Sequence, residues 1–574
     1  MPAATQESFY ALPLAAGECS GQKVVIVIQS DYSANFSIKT SWRWLLLPAL
    51  LLLFVAWTRL QWPELSHGDD WSDASVLVAG ENFSNQGFGA SYGLPIFYPR
   101  ADHVPPPVRP DKADWTPLEV FGTYARLPPL YHWIAGLLHP MVGDSIVVYR
   151  FFTILGSLFA VAAFLALAMV MTGSARLACL ATGFYVANPY FLANFDSLHG
   201  HVYMDLFRNL ALLGLALLIK QNKTPAWGIL AATWCALYLE TLTTYEYLPL
   251  LTLTIVMASA WILFRNRNGT KALLTIALGT AIAAGLLLHF ALVASYYGGI
   301  QEAFQDRLAN AAQRISGDKN LLGTAGAFTW AAWYQMVPMR FFSQASIIGI
   351  TGLVIASAFG AVCAAALSTK QRAPVVIGFG LGLFLLIGSS IWYVLMPAHC
   401  LDHAGLSFLQ KYLVPGMSLL LAVPCEAAFR LLEQSKAPQY LQWGIPGVLA
   451  GMIVSVGLYS SELPITREKI ALEREFLKIK ECLVPLSKIL KPSDFIASNV
   501  MRPTWMMMAY TKTRTIQIST PEQFDALTEK PKMFLLVPTN DPATQALAKR
   551  LEFSYQLVAT CDNQRLPFYI LERR

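Results

Sequence analysis

The chain is constrained most by its succession of apolar runs, eleven in all, at 42–60, 147–171, 177–195, 202–219, 226–241, 245–264, 272–296, 343–368, 373–396, 408–429 and 440–459. A hydrocarbon core takes about 20 residues of helix to cross. Lipid offers no partner to an unpaired backbone group, so runs of this kind must fold as helices that bond internally. Only 14% of the residues are charged, 55% are hydrophobic, and the mean hydropathy is +0.45. A soluble chain carries about a quarter charged residues. The expected fold class is therefore an α-helical polytopic membrane protein of about eleven spans.

The charges between the runs give a direction. With a cytoplasmic N-terminal segment (1–41), the inner loops hold Arg176, Lys220, Lys223, Arg265, Arg267, Lys271, Lys370, Arg372, Arg430 and Lys436. The short outer loops hold Asp196, Glu246 and Asp402, with no Lys or Arg. This alternation obeys the positive-inside rule. The net charge of +6 is spread over those loops, which argues against a nucleic-acid partner. The transmembrane domain is set at 42–460. Its long outer loop is 61–127, and 297–342 also falls outside. Leu130–Val142 is too short to span and reads as an interfacial or re-entrant helix. No signal-peptide cleavage pattern accompanies the first run.

After Ser460 the composition turns soluble. Short strands FIAS (495–498), RTIQI (514–518) and KMFLLV (532–537) alternate with helices at 503–511, 521–528 and 542–551, and two strands follow near 555–560 and 567–571. An amphipathic helix at 465–490 precedes them. The pattern predicts a C-terminal α/β domain, 461–574, with a mostly parallel sheet on the outer side. It has no Gly-rich phosphate loop. Cys482 and Cys561 both lie in it, where an oxidising compartment would permit a disulfide. Cys179, Cys235, Cys363 and Cys425 sit in apolar runs and read as small buried hydrophobes.

Four features carry chemistry. HGDDWSDASVLVAGENFSNQGF (67–88) puts Asp69 and Asp70 just outside the first span, where a carboxylate can take a proton from an acceptor hydroxyl. The same pair also reads as a solvated acidic turn. FDSLHGHVYMDLFRN (195–209) puts Asp205 and Arg208 three apart on one helical face inside a span. Ionisable groups there line a polar site or close an internal ion pair. TYARLPPLYHW (123–133) joins Tyr124 and Arg126 to a Pro-Pro helix start, whose free amides and dipole suit a phosphate. HAGLSFLQKYLVPG (403–416) brings Lys411 and Tyr412 into a late span, with outward snorkelling as the alternative for the lysine. Eight of the nine histidines, His201 and His403 among them, fall on the outer side, with only His289 in mid-span. Asp69, Asp70, Asp205, His199 and His201 could converge on a divalent metal; a His-x-His at a helix mouth more often caps it. Metal dependence stays open, and no other cofactor is expected.

In this order, the acid pair, the x-PPLYxW helix, the acid of the fourth span and the basic-Tyr-Leu-x-Pro motif resemble the C-type membrane glycosyltransferases that use polyprenyl-phosphate donors. The likeness covers roughly 43–430 and is nearest to the bacterial relatives of protein O-mannosyltransferase and the lipid A aminoarabinose transferase. It implies an inverting sugar transfer from a polyprenyl-phosphate donor to a hydroxyl of a lipid, glycan or protein, on the outer face of the cytoplasmic membrane. It implies Asp69 as base, Asp70 beside it, and Asp205, Lys411 and Tyr412 as family positions. Two departures stand out. The second acid is Asp where the family has Glu, and Leu127 replaces the basic residue before Pro-Pro, with Arg126 one position earlier. The 103–115 insertion has no counterpart. The rival expectation is a transporter or lipid flippase using Asp205, Arg208 and Lys411 as a path.

Overall fold

The structure is a computed structural model. It describes residues 38–61, 70–97, 125–221, 227–316, 364–402, 410–436, 478–491, 494–499, 509–562 and 567–574, with short pieces between 329 and 362 and between 438 and 455. Twelve helices come first: α1 (Ile38–Leu60), α2 (Asp70–Gln86), α3 (Leu130–Val142), α4 (Ile146–Thr172), α5 (Ala175–Val186), α6 (Pro189–Asn194), α7 (His201–Lys220), α8 (Trp227–Thr241), α9 (Leu248–Asn266), α10 (Gly269–Ala277), α11 (Gly279–Tyr297) and α12 (Ile300–Ser316). Further along lie α13 (Thr369–Leu395), α14 (Pro397–Asp402) and α15 (Val414–Gln434).

Among the described residues, six helices are long and apolar enough to cross a membrane: α4, α7, α9, α10 with α11 as one 29-residue unit, α13 and α15. This is a multi-pass membrane protein. The expected spans 343–368 and 440–459 fall largely outside the described residues. The expected single span 177–195 is broken instead. Helix α5 stops at Val186, and α6 restarts at Pro189 with the Asn188 side chain accepting from the Tyr190 amide at 3.0 Å. Proline lacks the amide that a continuing helix needs and restricts the residue before it, so the Asn188–Pro189 step ends the helix. The chain thereby reaches Phe195 and Asp196 with both side chains buried.

Helix α4 ends on Gly173 in the left-handed region, whose amide bonds the Met169 carbonyl. The Ser174 side chain then caps α5, so the two pack as a hairpin. Helix α7 lies between α4 and α8. Gly214 makes the second contact, since a Cβ there would fall 2.0 Å from the Thr233 hydroxyl. The expected outer loop 61–127 contains a helix, α2, that the sequence did not announce. Its buried face packs on α3, where a Cβ on Gly136 would lie 2.6 Å from that of Phe83.

The C-terminal domain is a five-stranded sheet in the order β2-β1-β3-β5-β4, made of β1 (Phe495–Ser498), β2 (Arg514–Gln517), β3 (Met533–Leu536), β4 (Tyr555–Cys561) and β5 (Phe568–Arg573). The sheet is mixed, which corrects the mostly parallel expectation. β1 pairs parallel with β2 and β3, but β5 runs antiparallel to both β3 and β4. The link from Cys561 to Phe568 is too short for the crossover that parallel strands need, so β4 and β5 form a hairpin. Phe495, Ala497, Phe534 and Leu536 share one apolar cluster with Leu547 and Leu551. Ile496, Met533, Leu535 and Ile570 share another with Leu483, and with Val78 of α2 and Ala135 of α3. Period-two alternation thus gives the sheet one face of its own and one shared with the membrane-side helices. A disulfide joins Cys482 to Cys561. Of the cysteines read as buried hydrophobes, Cys179 is buried, Cys425 is half-buried and Cys235 is exposed; Cys363 lies outside the described residues.

Candidate active site

Asp205 and Arg208 sit one turn apart in α7, and their side chains meet at 3.0 Å between Asp205 Oδ1 and Arg208. The other oxygen, Oδ2, holds Lys411 Nζ at 2.9 Å and accepts from the Tyr185 hydroxyl at 3.3 Å. Lys411 also donates to the His201 carbonyl at 3.0 Å. Arg208 donates to the Tyr247 hydroxyl and to Asn209 Oδ1, and its guanidinium lies 4.5 Å from the Tyr247 ring centre. Tyr412 is buried edge-on against Tyr247, with ring centres 5.0 Å apart. All three charged side chains are at most 3% exposed. In so dry a setting the ions require one another, because removing one partner of a buried pair costs about 3–5 kcal/mol. Lys411 does not snorkel. It precedes α15 rather than entering it, and turns inward to Asp205.

Around this array lie further polar groups. Glu240, at the end of α8, is fully buried beside Arg208. Arg150 of α4 sits 3.3 Å from Asp196 and donates to the Arg59 carbonyl. Asp73, in the first turn of α2, is buried and accepts from the Ser197 hydroxyl and the His199 amide, each at 3.0 Å. Asp73 was legible only as a third acid in the GDDWSD run; its inward aim depends on a helix whose weak amphipathicity hides it. Tyr247 and Tyr185 gave no signal, being tyrosines in apolar runs.

Three of the described histidines lie together. His199 meets the Tyr131 hydroxyl at 3.1 Å and the His201 ring at 4.7 Å. Next to them His132 is fully buried, and that burial, with His199 alongside, pushes its imidazole well below the ordinary range. No group of three or more His, Cys, Asp or Glu side chains is placed to hold a metal among the described residues. His289 lies within the α10–α11 unit. It bonds Tyr245, in the turn between α8 and α9, and Arg307 of α12 at 3.1 Å.

At the Pro-Pro start the Leu130 amide donates to the Leu242 carbonyl at 3.0 Å, so one of the donors expected to be free is used within the protein. The Ala125 and Arg126 carbonyls accept from Arg307 at 2.7 and 3.1 Å, and the Arg126 charge lies near Tyr297. Asp69, Tyr124 and His403 fall outside the described residues; of Asp70, only its place at the first residue of α2 is described.

No protein-family profile and no curated protein matches the sequence. Solved structures do match. ArnT from Cupriavidus metallidurans bound to undecaprenyl phosphate aligns over 92% of this chain and 98% of its own, at 14% identity and a TM-score of 0.55. The same protein in the apo state gives 0.51 over 93% and 98%, at 13% identity. An archaeal oligosaccharyltransferase, AglB from Archaeoglobus fulgidus, in complex with an inhibitory peptide and a dolichol-phosphate, gives 0.50 over 87% of this chain and 70% of its own, at 12% identity. The fold is that of the C-type membrane glycosyltransferases. Within that C-type fold, the Asp205–Arg208–Lys411 array joins α7 to the start of α15, two elements 206 positions apart (411 − 205) in the chain.

Proposed function

We propose that this C-type protein transfers a sugar from a polyprenyl-phosphate donor to an acceptor hydroxyl at the outer face of the cytoplasmic membrane. The observation that carries the reading is the fold match over nearly the whole chain to a protein solved with undecaprenyl phosphate. The N-terminus is cytoplasmic, and the long first loop and the 461–574 domain lie outside. Asp69 takes the acceptor's proton, and Asp70 stands beside it. The acceptor oxygen attacks the anomeric carbon from the face opposite the phosphate. The carbon–oxygen bond to phosphate breaks, and polyprenyl phosphate leaves with the electron pair. One displacement with no covalent intermediate inverts the configuration.

The buried array supports a division of labour. Both Asp205 oxygens are occupied by Lys411, Arg208 and Tyr185, so Asp205 is a positioning residue that sets two cations below the leaving phosphate. Tyr124, Arg126, Lys411 and Tyr412 mark the donor-phosphate side, with His201 and His403 at the mouth. Preorganised cations aimed at a developing charge need no reorganisation during the reaction.

The deciding experiment is transfer of radiolabelled sugar from polyprenyl phosphate by purified protein in detergent, with no ion gradient. Turnover supports the enzyme; gradient-dependent lipid movement without transfer would support a transporter or flippase instead. Asp69→Asn is expected to abolish transfer with folding intact and Asp70→Asn to be milder. The reverse ranking would move the base to Asp70.

A further inference from the structure

Helix α12 has three faces. At about 100° per residue, Ile300, Ala311, Phe304, Ile315 and Leu308 fall within an arc of about 80°. Ile300, Phe304, Leu308 and Ile315 are 72%, 55%, 54% and 47% exposed. On the next arc Gln301, Glu302, Gln305 and Ala309 are exposed too. The remaining arc faces the protein. Ala303 and Asp306 are buried, Arg307 holds the Ala125 and Arg126 carbonyls and His289, and the charge of Arg314 bears on Glu246. Arg307 and Arg314 both address the 245–246 turn. That turn precedes α9, whose 19 residues match a hydrocarbon core of about 30 Å; Glu246 therefore sits at the boundary.

We propose that α12 lies in the bilayer interface, with Ile300, Phe304, Leu308 and Ile315 among lipid acyl chains. The second arc faces water, and Arg307 pins the approach to the Pro-Pro helix. Three observations favour lipid as the occupant. The apolar stripe cannot roll inward, because the arginine face is already anchored. Helix α12 follows α11 across only Gly298 and Gly299. Helix α11 itself exposes apolar side chains, Leu287 among them at 67%, within a spanning helix. An interfacial helix of this kind binds through its buried apolar area.

The inference rests on the membrane topology and not on the donor chemistry, so its test needs no turnover. Full-length protein is reconstituted in vesicles of phosphatidylcholine and phosphatidylglycerol carrying a phospholipid with a mid-chain diazirine. After irradiation, labelled residues are mapped by mass spectrometry. Phe304 and Leu308 should label within about threefold of Leu287, with Gln305 and Ala309 at least about tenfold lower, as an amphipathic helix at the interface requires. Labelled Leu287 with an unlabelled stripe would overturn the proposal, as would cross-links from the stripe to a second copy of the chain. Phe304→Gln with Leu308→Gln should remove the label from 300–315 while leaving it at Leu287, and this control separates loss of seating from loss of fold.

Discussion

Two lysines hold this molecule together in opposite ways. Lys411 lies 2.9 Å from Asp205, and both side chains are at most 3% exposed. Lys512, just before β2, reaches Glu81 of α2 and Asp144 between α3 and α4, each at 2.7 Å; Glu81 is 10% exposed, but Lys512 is 15% and Asp144 55% exposed, so this pairing opens to water at its Asp144 end. The chemistry and distances match; the surroundings do not. Inside the helical bundle, water cannot screen a charge left behind. At the junction it can, and exposed pairs contribute about 0–1 kcal/mol. The first cluster should thus be all-or-none, and the second adjustable.

The largest test of that contrast is Asp205→Asn. It strips Lys411 of its carboxylate partner and leaves Arg208 only Glu240 alongside, and a loss of about 3–5 kcal/mol is expected, read as a fall in thermal midpoint together with lost transfer. Adding Lys411→Met should recover part of the stability, because the stranded cation is removed. A double variant as unstable as the sum of the two single ones would mean that the pair is not coupled, and the contrast would fail on its buried side.

The next test concerns the sheet domain alone. The Cys482–Cys561 bond joins residues 79 positions apart, and the chain-entropy account gives about 4.5 kcal/mol for such a loop, with about 2–4 typical of measured bonds. Cys482→Ser with Cys561→Ser should destabilise the C-terminal domain by that amount and leave the helical bundle's midpoint unchanged. If the bundle fell with it, the apolar cluster that Leu483 shares with Val78 and Ala135 would be a larger part of the membrane domain's stability than the junction's charges suggest.

What could be read in advance follows the same division. The six long spans were legible because apolar length is a local property, and Asp205 with Arg208 because one helical turn fixes their neighbourhood. Strands β1 to β5 were placed within a residue or two, since alternation is local as well. The partners were not legible. Nothing in the sequence near Tyr247 says that it receives Arg208, nor near Lys411 that it faces Asp205 rather than solvent, because those contacts are set by packing across 39 and 206 positions. The antiparallel half of the sheet had a signal, the short link after Cys561, that the strand-and-helix alternation obscured. Helix α2 was hidden by its mixed composition. It acquires a buried face only when α3 supplies the other half.

The smallest effect expected is at Lys512 and is the sharpest test of the exposed side. Burial pushes the Asp144 carboxyl up, but its hydrogen bond and charge contact with Lys512, with His139 adding to them, outweigh that and hold it below the ordinary carboxylate range. A depressed acid contributes stability that is present above its unfolded value, about 3.9 for aspartate, and lost as pH falls through the lower folded value. The junction should therefore weaken only below about pH 4, by less than about 1 kcal/mol given the exposure of Asp144. The same weakening should appear at neutral pH in about 1 M salt, where the screening length shrinks to about 3 Å. Lys512→Met should abolish both responses in hydrogen exchange of the β1–β2 region, and neither condition should move the Asp205 cluster. Equal salt sensitivity at the two lysines would show that water reaches Lys411 as freely as Lys512, and burial would no longer explain the difference between them.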